Sequence, residues 1–214
     1  MRAKRPVYTI GHSTRSLDEL AEMLQAYGIA QLADIRSIRR SRHNPQFEEQ
    51  TLARALTRRG ITYIALPALG GRRAKAKRPP RRSNAAWQHS AFRNFADYAT
   101  TAAFRTGLAE LRALAAKKPT AIMCAEAPWW RCHRRIVADH LLARGVPVVH
   151  VMTKTRAVPA GVTPFAVVTR GSVSYPPDPR HPGQGRSQKP RRAPRDRGRA
   201  RPRPAARRVL HPRS

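Results

Sequence analysis

The chain has 214 residues, a mass of 24.0 kDa and 41% hydrophobic residues, enough for one α/β domain with a real core, which excludes a wholly disordered protein. Lys and Arg total 43 against 12 Asp and Glu, a net charge of +31 with a pI near 11.9, so anions are the natural partners. Arg supplies 36 of the 43 bases beside abundant Ala and Pro, so part of the charge reads as composition bias rather than as a binding surface.

Val7-Tyr8-Thr9-Ile10, closed by Gly11, predicts a first strand. Ser16 three residues before Glu19 has the form of a capping box, Leu17, Leu20, Leu24 and Tyr27 recur at helical spacing, and Gly28 supplies the stop of a first helix. A strand over 31–35, a helix over 48–59 ended by Gly60 and a strand over 61–66 ended by Pro67 follow, an order that implies parallel pairing. Residues 70–90 mix Gly70-Gly71, seven bases between Arg72 and Arg82 and Pro79-Pro80, which predicts an exposed mobile loop, either a lid or an insertion. Helical spacing resumes with Phe92, Phe95 and Tyr98 and again with Leu108, Leu111 and Leu114, with a break expected over 104–107, before a strand over 120–124. The last clear unit is a loop over 125–131, a helix over 132–144, Gly145 and a strand over 146–151, and a weaker strand over 165–168 is expected to complete the sheet.

The expected fold class is therefore α/β, a single domain over residues 1–169 with a mainly parallel central sheet flanked by helices. Residues 170–214 form an expected disordered Arg/Pro-rich tail: they hold fourteen bases, two acids and only Val209 and Leu210 as large aliphatics after Tyr175, which cannot build a core. The remaining 29 bases and ten acids leave the domain itself basic, at +19. No apolar stretch approaches the roughly 18 residues of a membrane span and no secretory core opens the chain, so no membrane partner is expected. Two cysteines, Cys124 and Cys132, argue against a disulfide framework and for the cytoplasm.

Ligands of parallel α/β sheets bind outside the carboxyl ends of the strands, where loops and helix N-termini open onto one rim. That rim gathers His12 and Ser13 after the first strand, Asp34, Arg36, Arg40, Arg42, His43 and Asn44 after the second, Gly70 to Arg73 after the third, and the run Cys124-Ala-Glu-Ala-Pro-Trp-Trp-Arg-Cys-His-Arg-Arg after the fourth. A helix N-terminus favours an anion there, and Arg131, Arg134 and Arg135 offer guanidinium forks to a phosphate. A cysteine beside arginines and His133 is also readily a thiolate, which makes Cys132 the candidate nucleophile with His133 or Glu126 for proton transfer. Six residues separate Cys124 from Arg131, one more than in the phosphatase signature, and this counts against covalent catalysis. No cofactor is required by the pattern; Cys124, Cys132 and His133, with His12, offer soft ligands to zinc or an iron centre, while the plain alternative is two inert packed thiols. Of Trp129 and Trp130, one is expected to plug the core, and Trp130 is the candidate to stack on a base or sugar. Asp34 ends a strand, where a carboxylate usually fixes a loop or holds a neighbour such as Arg36 or Arg131.

Several of these residues carry a family likeness. Tyr8-Thr9-Ile10-Gly11-His12-Ser13, Asp34-Ile35-Arg36, Ser41-Arg42-His43-Asn44-Pro45-Gln46-Phe47, Gly60-Ile61-Thr62-Tyr63, Leu66-Pro67-Ala68-Leu69-Gly70-Gly71, Phe92-Arg93-Asn94-Phe95-Ala96-Asp97-Tyr98, Cys124-Ala125-Glu126 and Cys132-His133-Arg134-Arg135 resemble the domain-of-unknown-function 488 family over roughly residues 7–151. The resemblance implies a bacterial or archaeal cytoplasmic α/β domain and assigns no activity. Arg39 departs from the pattern, standing where a proline is expected before the Arg40-Ser41-Arg42 turn.

Two functions follow. The first is recognition of a phosphate-bearing small molecule, nucleotide or nucleic acid by His12, Ser13, Asp34, Arg36, Arg42, Asn44, Trp130, Arg131 and Arg134, with or without chemistry at Cys132, His133 and Glu126. The second is a nucleic-acid-binding accessory module that works through the basic tail and the 72–82 run, with a steep salt dependence. Neither sets an oligomeric state.

Overall fold

The computed structural model describes residues 4–75 and 84–177. Strands β1 (Val7–Gly11), β2 (Gln31–Asp34), β3 (Thr62–Ala65), β4 (Thr120–Cys124) and β5 (Val148–Val151) pair in parallel, and β6 (Ala157–Pro159) adds antiparallel to β5, in the order β3-β2-β4-β1-β5-β6. The crossovers are α1 (Leu17–Ala26), α2 (Glu49–Thr57), α3 (Ser90–Tyr98), α4 (Ala102–Lys117) and α5 (Arg134–Leu142). Strand alternation divides the core between two faces. In β4, Ala121 and Met123 pack with Leu20, Leu24, Leu52 and Leu56 of α1 and α2, whereas Ile122 and Cys124 pack with Phe95, Phe104, Leu111 and Ile136 of α3, α4 and α5. All five β4 residues are buried, as a sheet covered on both sides demands.

The strand order decides where a ligand can enter. From β1 the chain crosses β4 to reach β2, and from β4 it crosses β1 to reach β5, so neighbouring strands send their connections in opposite directions. Such a switch point opens a crevice at the carboxyl ends of β1 and β4. The capping box that starts α1 forms as expected, with Glu19 N–H donating to Ser16 Oγ at 3.0 Å and Ser16 N–H to Glu19 Oε2 at 2.8 Å.

Four expectations are corrected. The helical break falls at residues 99–101, not 104–107: Thr101 caps α4 by accepting from Phe104 N–H at 3.3 Å, and Gly107 lies within the helix because a Cβ there would come 2.7 Å from that of Ala68. The strand near Phe165 does not complete the sheet; β7 (Val167–Thr169) pairs only with β8 (Ser172–Ser174), and the sixth strand is the three-residue β6, too short to show a period. Residues 70–90 are not simply an exposed loop, since Asn84 and Trp87 are buried; residues 76–83, with most of the basic run, lie outside the described residues.

The domain also extends past residue 169. Tyr175 is fully buried, its hydroxyl donates to Asp139 Oδ2 at 2.8 Å, its N–H donates to Asn84 Oδ1 at 3.2 Å, and its ring meets Trp87 edge-on at 5.2 Å. Asp139 also accepts from Thr163 N–H at 2.8 Å, so a buried carboxylate on α5 anchors the whole segment. The expected tail from residue 178 onward lies outside the described residues. Among the described residues no helix is long and apolar enough to cross a membrane.

Ending the chain after residue 169 should cost about 3 kcal/mol or more in urea denaturation relative to ending it after 177, through loss of the buried Tyr175. His140 on α5 provides a second test. Burial, with Arg144 nearby, lowers its pKa to about 4, and neither ring nitrogen has a partner among the described residues. The unfolded chain therefore binds more protons between pH 4 and 6.5, and the stability contributed by the neutral ring is complete above 6.5 and lost as pH falls through that window. His140→Leu should raise stability by about 1 kcal/mol at pH 7 and flatten the acid limb of the stability–pH curve.

Candidate functional site

Beyond the carboxyl ends of β1, β2 and β4 lies a cavity of about 680 Å³. Of the residues expected at the rim, His12, Arg36, Arg40, Asn44, Gly71, Arg72, Cys124, Glu126, Trp130, Arg131, Cys132 and His133 line it, and Ser41 joins them. Ser13, Asp34, Arg42 and Arg134 do not. Ser13 instead presents its carbonyl to His12 Nδ1 at 2.8 Å, and Arg42 is exposed away from the lining.

Asp34 sits behind the wall and positions it. Its carboxylate accepts from Arg36 Nε at 3.0 Å, from Arg36 Nη2 at 2.6 Å, from the Arg36 N–H at 2.9 Å and from the Tyr63 hydroxyl at 2.8 Å. Both charges are buried, so this forked pair is a desolvated one whose geometry satisfies most of the carboxylate lone pairs. Arg36 Nη1 is left 3.4 Å from His12 Nε2. Burial, with Arg36 and Arg134 nearby, lowers the His12 pKa to about 4 against the opposing bond to Ser13, so the ring is neutral at pH 7 with Nε2 free of a proton. Tyr63 was not foreseen, because its link to Asp34 runs across two neighbouring strands and no local pattern reports it.

The departure at Arg39 has a structural role. Its Nε donates to Glu49 Oε2 at 2.9 Å and its carbonyl accepts from Glu49 N–H at 3.1 Å, which ties the 37–44 loop to the start of α2.

Arg134 takes no part in the rim as a phosphate fork. It is buried at 1% exposure, with Nη2 donating to the carbonyls of Glu126 and Ala127 and Nε donating to Cys132 Sγ at 3.3 Å. Arg135 is also committed elsewhere, to Thr163 Oγ1 at 2.9 Å and to the faces of Trp87 and Phe165. The loop that Arg134 holds passes over Gly11 so closely that a Cβ there would lie 2.0 Å from the Glu126 carbonyl oxygen. Trp129 is half-buried and stacks on His150 at 4.2 Å and 9°, rather than plugging the core, whereas Trp130 is 40% exposed and lines the cavity.

Cys124, Cys132 and His133 come together, with all three potential ligand atoms within 4.8 Å of one another; His12 stands outside this group. Cys124 Sγ is 3.8 Å and Cys132 Sγ 3.6 Å from His133 Nδ1. Burial opposes a thiolate at Cys132, but hydrogen bonding from Cys124 together with His133 and Arg134 overrides it and holds the Cys132 pKa well below the ordinary thiol value. Cys124, donating to Cys132 and itself buried, is pushed well above it. Gly71 backs the imidazole, because a Cβ there would approach Nδ1 to 2.4 Å. The glycine pair 70–71, met in the sequence as a loop signal, thus also makes room for a site side chain.

Residues 16–141 match the family model described as Domain of unknown function DUF488. The chain belongs to this family. The matched DUF488 region covers Asp34, Arg36 and the whole Cys124–Arg134 segment, and it starts after β1 and His12. No curated protein and no solved structure matches the chain.

Arg134→Met should destabilise the protein by about 3 kcal/mol or more in urea denaturation, since it leaves the buried Cys132 sulfur and two part-buried loop carbonyls without their donor. Arg131→Met, at an exposed position on the same loop, should change stability by less than about 0.5 kcal/mol.

Proposed function

We propose that the cavity at the switch point binds a small phosphate-bearing anion. One observation carries the reading: Arg40, Arg72 and Arg131 reach the cavity wall, and their guanidinium groups have no hydrogen-bond partner among the described residues, while Glu126 is the one carboxylate in the lining. Arg36 adds a donor already oriented by Asp34, and the neutral His12 beside it adds a further polar edge. Three exposed guanidinium groups around one fixed by Asp34 suit a ligand with several anionic oxygens, since each can donate in a fork. The volume accommodates a molecule of nucleotide size. Trp130 at the mouth supplies a face for a base or sugar.

Arg40 and Arg72 replace Arg42 and Arg134 in the expected binding set. Whether an arginine is free or spent on its own fold is a property of three-dimensional neighbours, and local sequence does not rank Arg40 above Arg42. The nucleic-acid reading rests on the tail and the 72–82 run, most of which lie outside the described residues, so the cavity is the better supported of the two.

Calorimetric titration of the full chain with inorganic pyrophosphate and with nucleoside phosphates, at constant ionic strength, tests the proposal. Arg40→Ala and Arg131→Ala should each weaken binding by roughly tenfold or more, the worth of one lost charge-assisted hydrogen bond. Equal affinity in both variants would overturn it. Oligonucleotide binding that survives both substitutions and falls steeply with salt would place the function in the basic arm instead.

A further inference from the structure

We infer that Cys124, Cys132 and His133 form a metal site suited to zinc, with three protein ligands and a fourth position open to the cavity. A tetrahedral zinc with Zn–S of about 2.3 Å and Zn–N of about 2.0–2.1 Å has sulfur–nitrogen edges of about 3.6 Å. The two such edges here are 3.8 and 3.6 Å. Both sulfur–nitrogen edges therefore already stand at the spacing of a coordination polyhedron, and the two sulfurs lie within 4.8 Å of each other.

The support around them is rigid. Cys124 ends the buried central strand β4, and Cys132 and His133 are the two residues before α5. Gly71 and the edge of Phe95, 4.9 Å from the imidazole, confine His133. Arg134 Nε donates to Cys132 Sγ at 3.3 Å, the outer-shell contact that orients a thiolate ligand. Two thiolates and an imidazole select zinc over hard cations such as magnesium, and all three residues line the cavity. Two thiolates neutralise a divalent ion, while Arg134 has no carboxylate within ion-pair distance among the described residues, so one positive charge remains and an anion is the favoured fourth ligand. That this ligand is a phosphate oxygen rests on the reading of the cavity given above; the metal site itself does not.

The chain has two cysteines in all, which makes the test specific. The full-length protein, reduced and stripped of metal, is titrated with Co²⁺ alone. The expected result is a single equivalent bound, with a near-ultraviolet thiolate-to-cobalt charge-transfer band and the visible bands of tetrahedral cobalt, both displaced by Zn²⁺. Cys124→Ser and Cys132→Ser should weaken the charge-transfer band and lower cobalt affinity by more than about tenfold, a loss that outer-shell changes alone can reach. His133→Ala, at a half-buried position, keeps the test valid if either cysteine variant fails to fold; it should retain a thiolate band but lose affinity to the same degree. Absence of a charge-transfer band in the unmutated protein, or unchanged cobalt affinity in His133→Ala, would overturn the site. Inorganic phosphate added to the cobalt form should shift the visible bands, and an unchanged spectrum would eliminate phosphate as the fourth ligand. Pyrophosphate binding by the metal-free protein, and its sensitivity to Arg40→Ala, reports on the anion cavity separately.

Discussion

A buried guanidinium that meets no carboxylate among the described residues organises this molecule. Arg134 is the largest fully buried side chain, and removing such a charge from water is costly unless several acceptors surround it. The carbonyls of Glu126 and Ala127 and the sulfur of Cys132 provide those acceptors. Satisfying Arg134 thus forces the loop after β4 to turn inward, across Gly11, and brings Cys132 to the end of β4 where Cys124 lies. The Cys132 pKa is held low chiefly by the hydrogen bond from Cys124 and by His133, and Arg134 adds to the same direction.

The Asp34–Arg36 pair performs the corresponding task on the other side of the crevice. Its two charges compensate each other, and Tyr63 takes up a further lone pair. One wall is therefore organised by a matched ion pair and the other by a cation that seeks acceptors. Between them lies the switch point created by the order β2-β4-β1-β5, so the sheet supplies the crevice and the two buried arginines shape its sides. The arginines left over at the mouth are those with no structural work, and their freedom is what the anion reading rests on.

Much of the fold was legible because its signals are local. The Ser16–Glu19 cap, the Leu17–Leu24 spacing and the βαβ alternation report on hydrogen bonds and faces within a few residues, and the structure contains each of them. The misreadings have a common cause. Gly107 looked like a helix breaker but is a packing contact with Ala68, and the Asn84–Trp87 and Arg170–Tyr175 segments looked like loop and tail but meet each other and Asp139 across long stretches of chain. The site was legible in part: His12, Arg36, Asn44, Trp130 and the Cys124–His133 segment were located by their place after strands, while Tyr63, and the preference for Arg40 and Arg72, were not.

By itself the sequence determined the parallel α/β class, the order of its main elements, the rim on which reactive side chains gather and the membership in DUF488, because strand and helix periods, caps and motif order are written along the chain. Only the tertiary structure decided which arginines are spent and which are free, which histidine joins the cysteines, and where the domain stops. Those outcomes depend on desolvation: burial compels Arg36 and Arg134 to find partners, leaves Arg40, Arg72 and Arg131 in water, and is set by neighbours that no sequence window contains.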